Sequence, residues 1–419
     1  MSIKKLLPVA LVGAVATTLG LSLVPSGQPP AEALDTSCER KICAFRESTY
    51  QTNDGIRVTA ERPAKIANSP IASFPSVFVD GSRVWVSYSK SEDLPGEPTH
   101  FQTMLSTDSG QTFTRYPTEV SVENAIVGPA GQIAFAEAAV TYPDRMTARI
   151  TGWQGGSWTP FTGKLSFRTQ PKTGGGATFN HGIVKSGSEL LAPYYGRFSG
   201  DVNGEKTNRV EIASSTDGGF TWQTVGTVFK PRLVNGKVVT YSESSLVRLD
   251  GGKLMLIARN ELFTRDGHRV SYRPLAYAIS RDGGRTWGPE RTLLINGKKA
   301  VFGGRPSVIR MGNGAYVLAV GRLDNVLAFA KRTRADGSPS WSGKLLAYRN
   351  YPEEPVDGYV YRVSGSSGYP AVAALSSSRL ISVFDNCAAT WGCNPPKTGF
   401  TVSDENKIVR RFVTVRTTR

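Results

Sequence analysis

One eight-residue phrase occurs three times in this chain, and that repetition limits the possible folds more than any other feature. Ser106-Thr107-Asp108-Ser109-Gly110-Gln111-Thr112-Phe113, Ser215-Thr216-Asp217-Gly218-Gly219-Phe220-Thr221-Trp222 and Ser280-Arg281-Asp282-Gly283-Gly284-Arg285-Thr286-Trp287 share the pattern S-x-D-x-G-x-T-[WF]. Each part suits a hairpin turn. The Asp carboxylate accepts hydrogen bonds from backbone N–H groups around the turn. The Gly takes a positive φ at no steric cost. The Thr re-enters a strand, and the aromatic ring packs into a core. A single copy is common turn chemistry, whereas three copies mark a repeat architecture.

Two imperfect copies fill the gaps: Gly155-Gly156-Ser157-Trp158, and residues 335–341 ending at Trp341. The closing aromatics then fall about 45–65 residues apart, the length of a four-stranded antiparallel blade with one long loop. The expected fold is all-β, a six-bladed β-propeller over residues 70–419, with residues 34–69 as an N-terminal segment joining the last blade. The 44 glycines and 25 prolines are spread throughout and leave few apolar runs of helical period.

Residues 1–33 read as a secretory signal peptide. Lys4 and Lys5 precede an apolar run over residues 6–24, and Ala31-Glu32-Ala33 forms an A-x-A cleavage site. Pro8, Gly13, Gly20 and that site favour removal over retention as a membrane anchor. No Cys directly follows the run, which argues against a lipoprotein, and no later stretch is apolar enough to cross a bilayer. The expectation is a secreted, extracellular protein without a stable membrane anchor, and a monomer. Export permits disulfides. Local pairing of Cys38 with Cys43 and Cys387 with Cys393 is the first reading, and cross-pairing of the two chain ends is the alternative.

Lys and Arg outnumber Asp and Glu by 50 to 34, a net charge of +16 that becomes +15 without residues 1–33. This balance favours anionic partners such as acidic sugars and cell-surface glycans, the alternative being a solvated basic surface. The basic residues are scattered, which argues against nucleic acid. With His100, His181 and His268 as the only histidines, no metal site or cofactor is expected.

Residues 76–81 with 83–88, 246–252 with 253–258, 307–320 and 371–384 each read as strand, turn, strand. These are the expected inner hairpins of successive blades. Their ends face the axial mouth, where a rigid scaffold presents functional groups.

The repeated phrase resembles the Asp-box, and with the inner hairpins residues 70–400 resemble the sialidase (neuraminidase) superfamily. In that family Asp-boxes are structural turns far from the catalytic mouth and also occur in non-enzymes. Sharper is Ser242-Glu243-Ser244-Ser245-Leu246-Val247-Arg248 followed by Leu256-Ile257-Ala258-Arg259-Asn260, similar to the family segment that carries a Glu and then an Arg on paired strands. Val320-Gly321-Arg322 stands where the family places another site Arg, and Gly368-Tyr369-Pro370 where its catalytic Tyr lies. The resemblance implies an exo-α-sialidase-like glycoside hydrolase with Tyr369 as nucleophile, Glu243 as its base partner, and Arg259 and Arg322 gripping a substrate carboxylate. Asp93, in the long first-blade loop where the family carries its acid, is the candidate acid, with Glu92, Glu97 and His100 as neighbours and competitors. Arg305, in Gly303-Gly304-Arg305-Pro306, is a further substrate-binding candidate, while His181 reads as supporting a turn.

The chemistry requires these residue types. A sialic acid bears a carboxylate on its anomeric carbon, which repels a carboxylate nucleophile. A Tyr activated by a neighbouring Glu avoids that repulsion. Arginines supply a planar fork that keeps its charge at any working pH. One departure stands out: the family's Phe-Arg-Ile-Pro phrase is replaced by Ile71-Ala72-Ser73-Phe74-Pro75, without an Arg. Arg46, Arg57, Arg62 and Arg305 are possible replacements. Two alternatives follow: a propeller glycosidase of different glycan specificity, and a non-catalytic propeller that binds anionic glycans.

Overall fold

A computed structural model describes residues 48–417 except 53, 92–99, 129–130, 143–144, 173–176, 180, 203–206, 322–323, 349–366 and 388–405. The described residues form an all-β propeller of six blades, each built on antiparallel strands. Blade 1 comprises Ser73–Asp80, Arg83–Ser89, Phe101–Ser106 and Thr114–Tyr116. Blade 2 (Ile126–Gly128, Gly131–Tyr142, Arg145–Gln154, Ser157–Ser166) and blade 3 (Ala177–Phe179 with Val184–Ser186, Glu189–Gly196, Arg209–Ser215, Thr221–Phe229) merge into one sheet through a short parallel pairing of their outer strands, Lys164 opposite Thr221. Blade 4 is Lys237–Arg248, Leu254–Phe263, Arg269–Ser280 and the short Arg291–Thr292, extended by Arg232–Val234. Blade 5 is Ser307–Arg310, Tyr316–Val320, Asn325–Ala330 and Gly343–Tyr348.

Blade 6 joins the two ends of the described chain. Ala371–Ala374 and Arg379–Asn386 lead to Asn406–Thr417, whose other edge pairs with Ile56–Ala60 and with Ala64–Ser69. The register runs from Ile56 opposite Thr417 to Ala60 opposite Val413. Cys387, just after the second strand of this blade, is buried and disulfide-bonded, whereas Cys38, Cys43 and Cys393 lie outside the described residues, as does the expected signal peptide.

The blades close into a ring because each inter-blade gap has its own apolar core. Trp85, Phe78, Trp153 and Trp158 fill the gap between blades 1 and 2. Tyr194, Ile150 and Trp222 fill the next, and Ile212, Phe229, Tyr241 and Leu256 the one after. Met255, Tyr277, Leu318 and Trp341 join blades 4 and 5; Val317, Phe329 and Val413 join blades 5 and 6; Val86, Ile381 and Phe412 join blades 6 and 1. Period-two alternation gives each strand two faces, and both are apolar here because every blade is covered on both sides.

All three full turns share one hydrogen-bond pattern. In the third, Gly284 N–H donates to Ser280 Oγ at 2.9 Å and Thr286 N–H to Asp282 Oδ1 at 2.9 Å. In the two copies that close with Trp, the indole Nε1–H also donates to the second glycine's carbonyl, at 2.9 Å from Trp287 to Gly284. The pattern needs two successive residues of positive φ, supplied by Gly218-Gly219, by Gly283-Gly284, and by Ser109-Gly110 in the first copy. Asp336 caps Ser338 in a related way ahead of Trp341. The expected copy at Trp158 differs: Gly155 and Gly156 form a two-residue hairpin loop between Gln154 and Ser157. With no Asp there to accept, the two glycines make the turn by backbone geometry alone.

Candidate active site

The hairpin tips and Asp-box turns lie at one end of the blades, so each inner strand starts at the other end, where the site residues gather. There the strands depart from regular pairing. In blade 4, Tyr241 faces Asn260 and Ser244 faces Ala258, so Ser242 and Glu243 together oppose the single residue Arg259. The next strand pair shifts at the same place, between Ala258 and Asn260. In blade 1, Phe74 and Pro75 are the extra residues between the Ser73–Ser89 and Ser76–Ser87 pairs. A β-bulge re-aims side chains, and these two turn Glu243 and Phe74 toward the axis.

Tyr369 Oη donates a hydrogen bond to Glu243 Oε1. The other carboxylate oxygen, Oε2, accepts from Arg259 Nη1 at 2.6 Å. Arg259 Nη2 in turn donates to Glu261 Oε1 at 2.6 Å, and Arg269 Nε reaches the same oxygen at 2.8 Å. Burial works against the charge on Arg259, which is only 6% exposed, but Glu243, Tyr369 and Glu261 more than offset this and hold its pKa well above the usual guanidinium range. Arg259 is therefore a permanent cation, paired with Glu243 beside the Tyr369 hydroxyl.

The Tyr369 ring is held on two further sides. Phe74 meets it edge-on, with centroids 4.9 Å apart, and the Arg305 guanidinium lies 5.0 Å from its centroid. Phe74 has φ 53°, a conformation costly for a residue with a Cβ. Its N–H donates to Asp385 Oδ2 at 3.1 Å, and the same buried carboxylate accepts from Ser367 N–H at 2.9 Å. Asp385 thus ties the bulge of blade 1 to the approach to Tyr369. Arg305, 3% exposed, pairs with Glu123 at 2.7 Å and donates to the Pro75 carbonyl at 2.9 Å. His181 is buried beside it and hydrogen-bonds the backbone of Glu123. Burial and the Arg305 cation push its imidazole well below the ordinary range, so it is neutral.

Tyr369, Glu243, Arg259 and Arg305 therefore converge, although they come from blades 4 and 5 and the entry to blade 6. Asp93 and Arg322 lie outside the described residues. The sequence reading did not single out Glu261, Glu123, Phe74 or Asp385. Glu261 was within reach, because two residues beyond Arg259 on a strand lies on the same face. Glu123 sits ahead of blade 2 in a stretch without strand pattern, and its partner is far away in sequence. Among the described residues no group of His, Cys, Asp and Glu could hold a metal ion. A surface groove lined by Arg248, Asp250 and Arg310 lies at the opposite, hairpin-tip end of blades 4 and 5 and belongs to none of this chemistry.

Neither a family model nor a curated relative matches the sequence. Solved structures of similar fold include an α-L-arabinanase from Penicillium chrysogenum, 14% identical, with a TM-score of 0.55 over 86% of this chain and 98% of that one. An α-L-arabinofuranosidase from Fusarium graminearum gives a TM-score of 0.53 at 12% identity over 85% of this chain and 98% of that one. A mutant of Trypanosoma rangeli sialidase is 13% identical, with a TM-score of 0.51 over 88% of this chain but 57% of that one. At these identities the likeness is one of fold, the β-propeller.

Proposed function

We propose that this protein is a secreted glycoside hydrolase of sialidase-like chemistry that releases a terminal sialic or related acidic sugar from glycans. The observation that carries this reading is the Tyr369–Glu243–Arg259 relay. As Tyr369 Oη attacks the anomeric carbon, its proton passes to Glu243 Oε1. The glycosidic bond breaks towards the aglycone oxygen, which takes a proton from an acid, assigned to Asp93. Water, deprotonated by the same acid, then attacks the anomeric carbon, and the released Tyr369 recovers its proton from Glu243. A neutral nucleophile suits a sugar whose anomeric carbon carries a carboxylate. Arg322 and the field of Arg259 would hold that carboxylate. Glycosidases among the proteins of similar fold support the reaction class.

A second reading, hydrolysis of a different sugar, is favoured by two specific observations. The phrase without its arginine puts the apolar ring of Phe74 on Tyr369, and both terminal nitrogens of Arg259 are already engaged by Glu243 and Glu261. The deciding experiment measures release of a fluorescent aglycone from an α-sialoside and from an α-L-arabinofuranoside, with and without Tyr369→Phe. Sialoside turnover that the substitution abolishes supports the first reading. Turnover confined to the arabinofuranoside selects the second. Turnover undiminished by Tyr369→Phe removes the nucleophile assignment, and release from neither substrate leaves hydrolysis of another sugar and the glycan-binding alternative, which a glycan-binding screen separates.

A further inference from the structure

The Arg305 guanidinium does not face open solvent at the mouth. It lies inside the ring of blades, spanning the axis from blade 5 to Glu123 ahead of blade 2 and to the Pro75 carbonyl in blade 1, with the Tyr369 ring over it. Its arrangement differs from that of Arg259. Arg259 is bracketed by two carboxylates, Glu243 and Glu261, each paired with one of its terminal nitrogens. Among the described residues, Arg305 has one carboxylate partner, on Nη1, while Nη2 meets the neutral Pro75 carbonyl and, at 3.4 Å, the Ser76 hydroxyl. A buried cation with a single counter-charge retains a strong local field.

We propose that Arg305, aimed by Glu123, is a positioning residue for Tyr369: it seats the ring and supplies the positive charge beneath it that favours negative charge on Oη during attack. This rests on the assignment of Tyr369 as nucleophile and changes the role expected of Arg305 from gripping substrate to supporting the nucleophile. A ring that carries phenolate charge attracts a cation at its face more strongly than a neutral phenol does. A guanidinium suits the place because it is planar, stacks on an aromatic face, and donates two directional bonds at the same time. Lysine has a point charge and no plane.

The groups around Tyr369 fix the sign. Glu243 accepts from its hydroxyl and opposes ionisation, whereas Arg259 beyond Glu243 favours it. Arg305 favours ionisation through the ring face, and Glu123 partly cancels Arg305. His181 is neutral and adds no charge. Asp385 contributes a negative charge from behind Ser367 and Phe74. Phe74, on the remaining side, is apolar.

The test reads Tyr369 directly and needs no turnover. With 3-fluorotyrosine incorporated, ¹⁹F NMR follows each phenol through its titration, and the resonance missing in Tyr369→Phe identifies Tyr369. Arg305→Met should raise the pH at which Tyr369 ionises by about one pH unit, the effect of losing a nearby opposite charge. Glu123→Gln leaves the guanidinium in place without its counter-charge and should lower that pH by a similar amount. Opposite movements in the two variants are the expected result. A merely structural Arg305 would move both the same way or neither, and either outcome overturns the proposal. If Arg305→Met does not fold, Glu123→Gln decides alone, since an unmoved titration there rejects the role. Failure of the nucleophile assignment itself would appear separately, as hydrolysis that survives Tyr369→Phe.

Discussion

Tyr369 and Glu243 stand 126 residues apart and meet in one hydrogen bond, Oη to Oε1, while the far oxygen of the same carboxylate is held by Arg259. The two side chains fail differently when removed. Tyr369→Phe deletes one hydrogen-bonding oxygen and keeps the ring on Arg305 and Phe74, so stability should fall by about 1 kcal/mol. Glu243→Gln leaves Arg259, nearly fully buried, with Glu261 as its remaining carboxylate, at a cost of about 3 kcal/mol. Both should reduce hydrolysis by about a hundredfold to ten-thousandfold. Urea denaturation beside aglycone release separates the two effects. Equal stability loss in the two variants would contradict the buried-charge argument.

Asp385 should control the site without touching it. Its carboxylate accepts from Phe74 N–H, Ser367 N–H and Ser367 Oγ, which fixes both the bulge carrying Phe74 and the residues leading to Tyr369. Asp385→Asn replaces one acceptor oxygen by a donor that faces an N–H. The expected loss is about 2 kcal/mol of stability. Because both contacts place the Tyr369 ring, kcat should drop while KM changes little. A raised KM with normal kcat would show that Asp385 serves binding instead.

The Asp-box carboxylates should contribute to acid stability. Asp282 is held down to about 2: desolvation pushes the other way, but bonds from the Thr286 side chain and backbone, Ser280 and Arg285 prevail. A folded-state pKa below the unfolded value means that the contribution is complete above about pH 4 and is lost as pH falls towards 2. Asp282→Asn should therefore lower Tm at pH 7, and its difference from the wild type should shrink through that window. Thermal unfolding at pH 7, 4 and 2 checks this. A constant difference would mean that the turn depends on shape and not on charge.

How far the sequence could be read follows from where each contact lies along the chain. The box turns were legible because all their partners lie within a few residues, as Ser280, Asp282, Gly284 and Thr286 do. Glu243 and Arg259 were legible as residues on neighbouring strands of a hairpin, and the bulge that brings them together is a small departure from that pattern. The floor of the site was not legible. Arg305 meets Pro75 across 230 residues, and Phe74 meets Asp385 across 311, contacts created only when the ring closes. Trp158 misled because an aromatic after Gly-Gly looks alike in a box and in a two-residue hairpin. Only the Asp carboxylate separates them.

Closure itself depends on a close backbone approach beside the site. Gly182 has φ 89°, and a Cβ built there would lie 2.3 Å from the Leu246 carbonyl oxygen, which cannot move aside because it belongs to the inner strand of blade 4. The Leu246 N–H donates to the His181 carbonyl at 3.2 Å, so the approach is hydrogen-bonded as well as tight. Gly187 provides the control: its φ is 65°, but nothing lies within 4 Å of a Cβ there. Gly187→Ala should cost only the conformational penalty, about 1 kcal/mol. Gly182→Ala must also force blades 3 and 4 apart, and should cost about 3 kcal/mol or more. Because Leu246 lies on the strand that carries Glu243, Gly182→Ala should also lower hydrolysis at temperatures where the protein is still folded, whereas Gly187→Ala should not. Equal Tm values for the two variants would mean that the blades can separate at this point without cost.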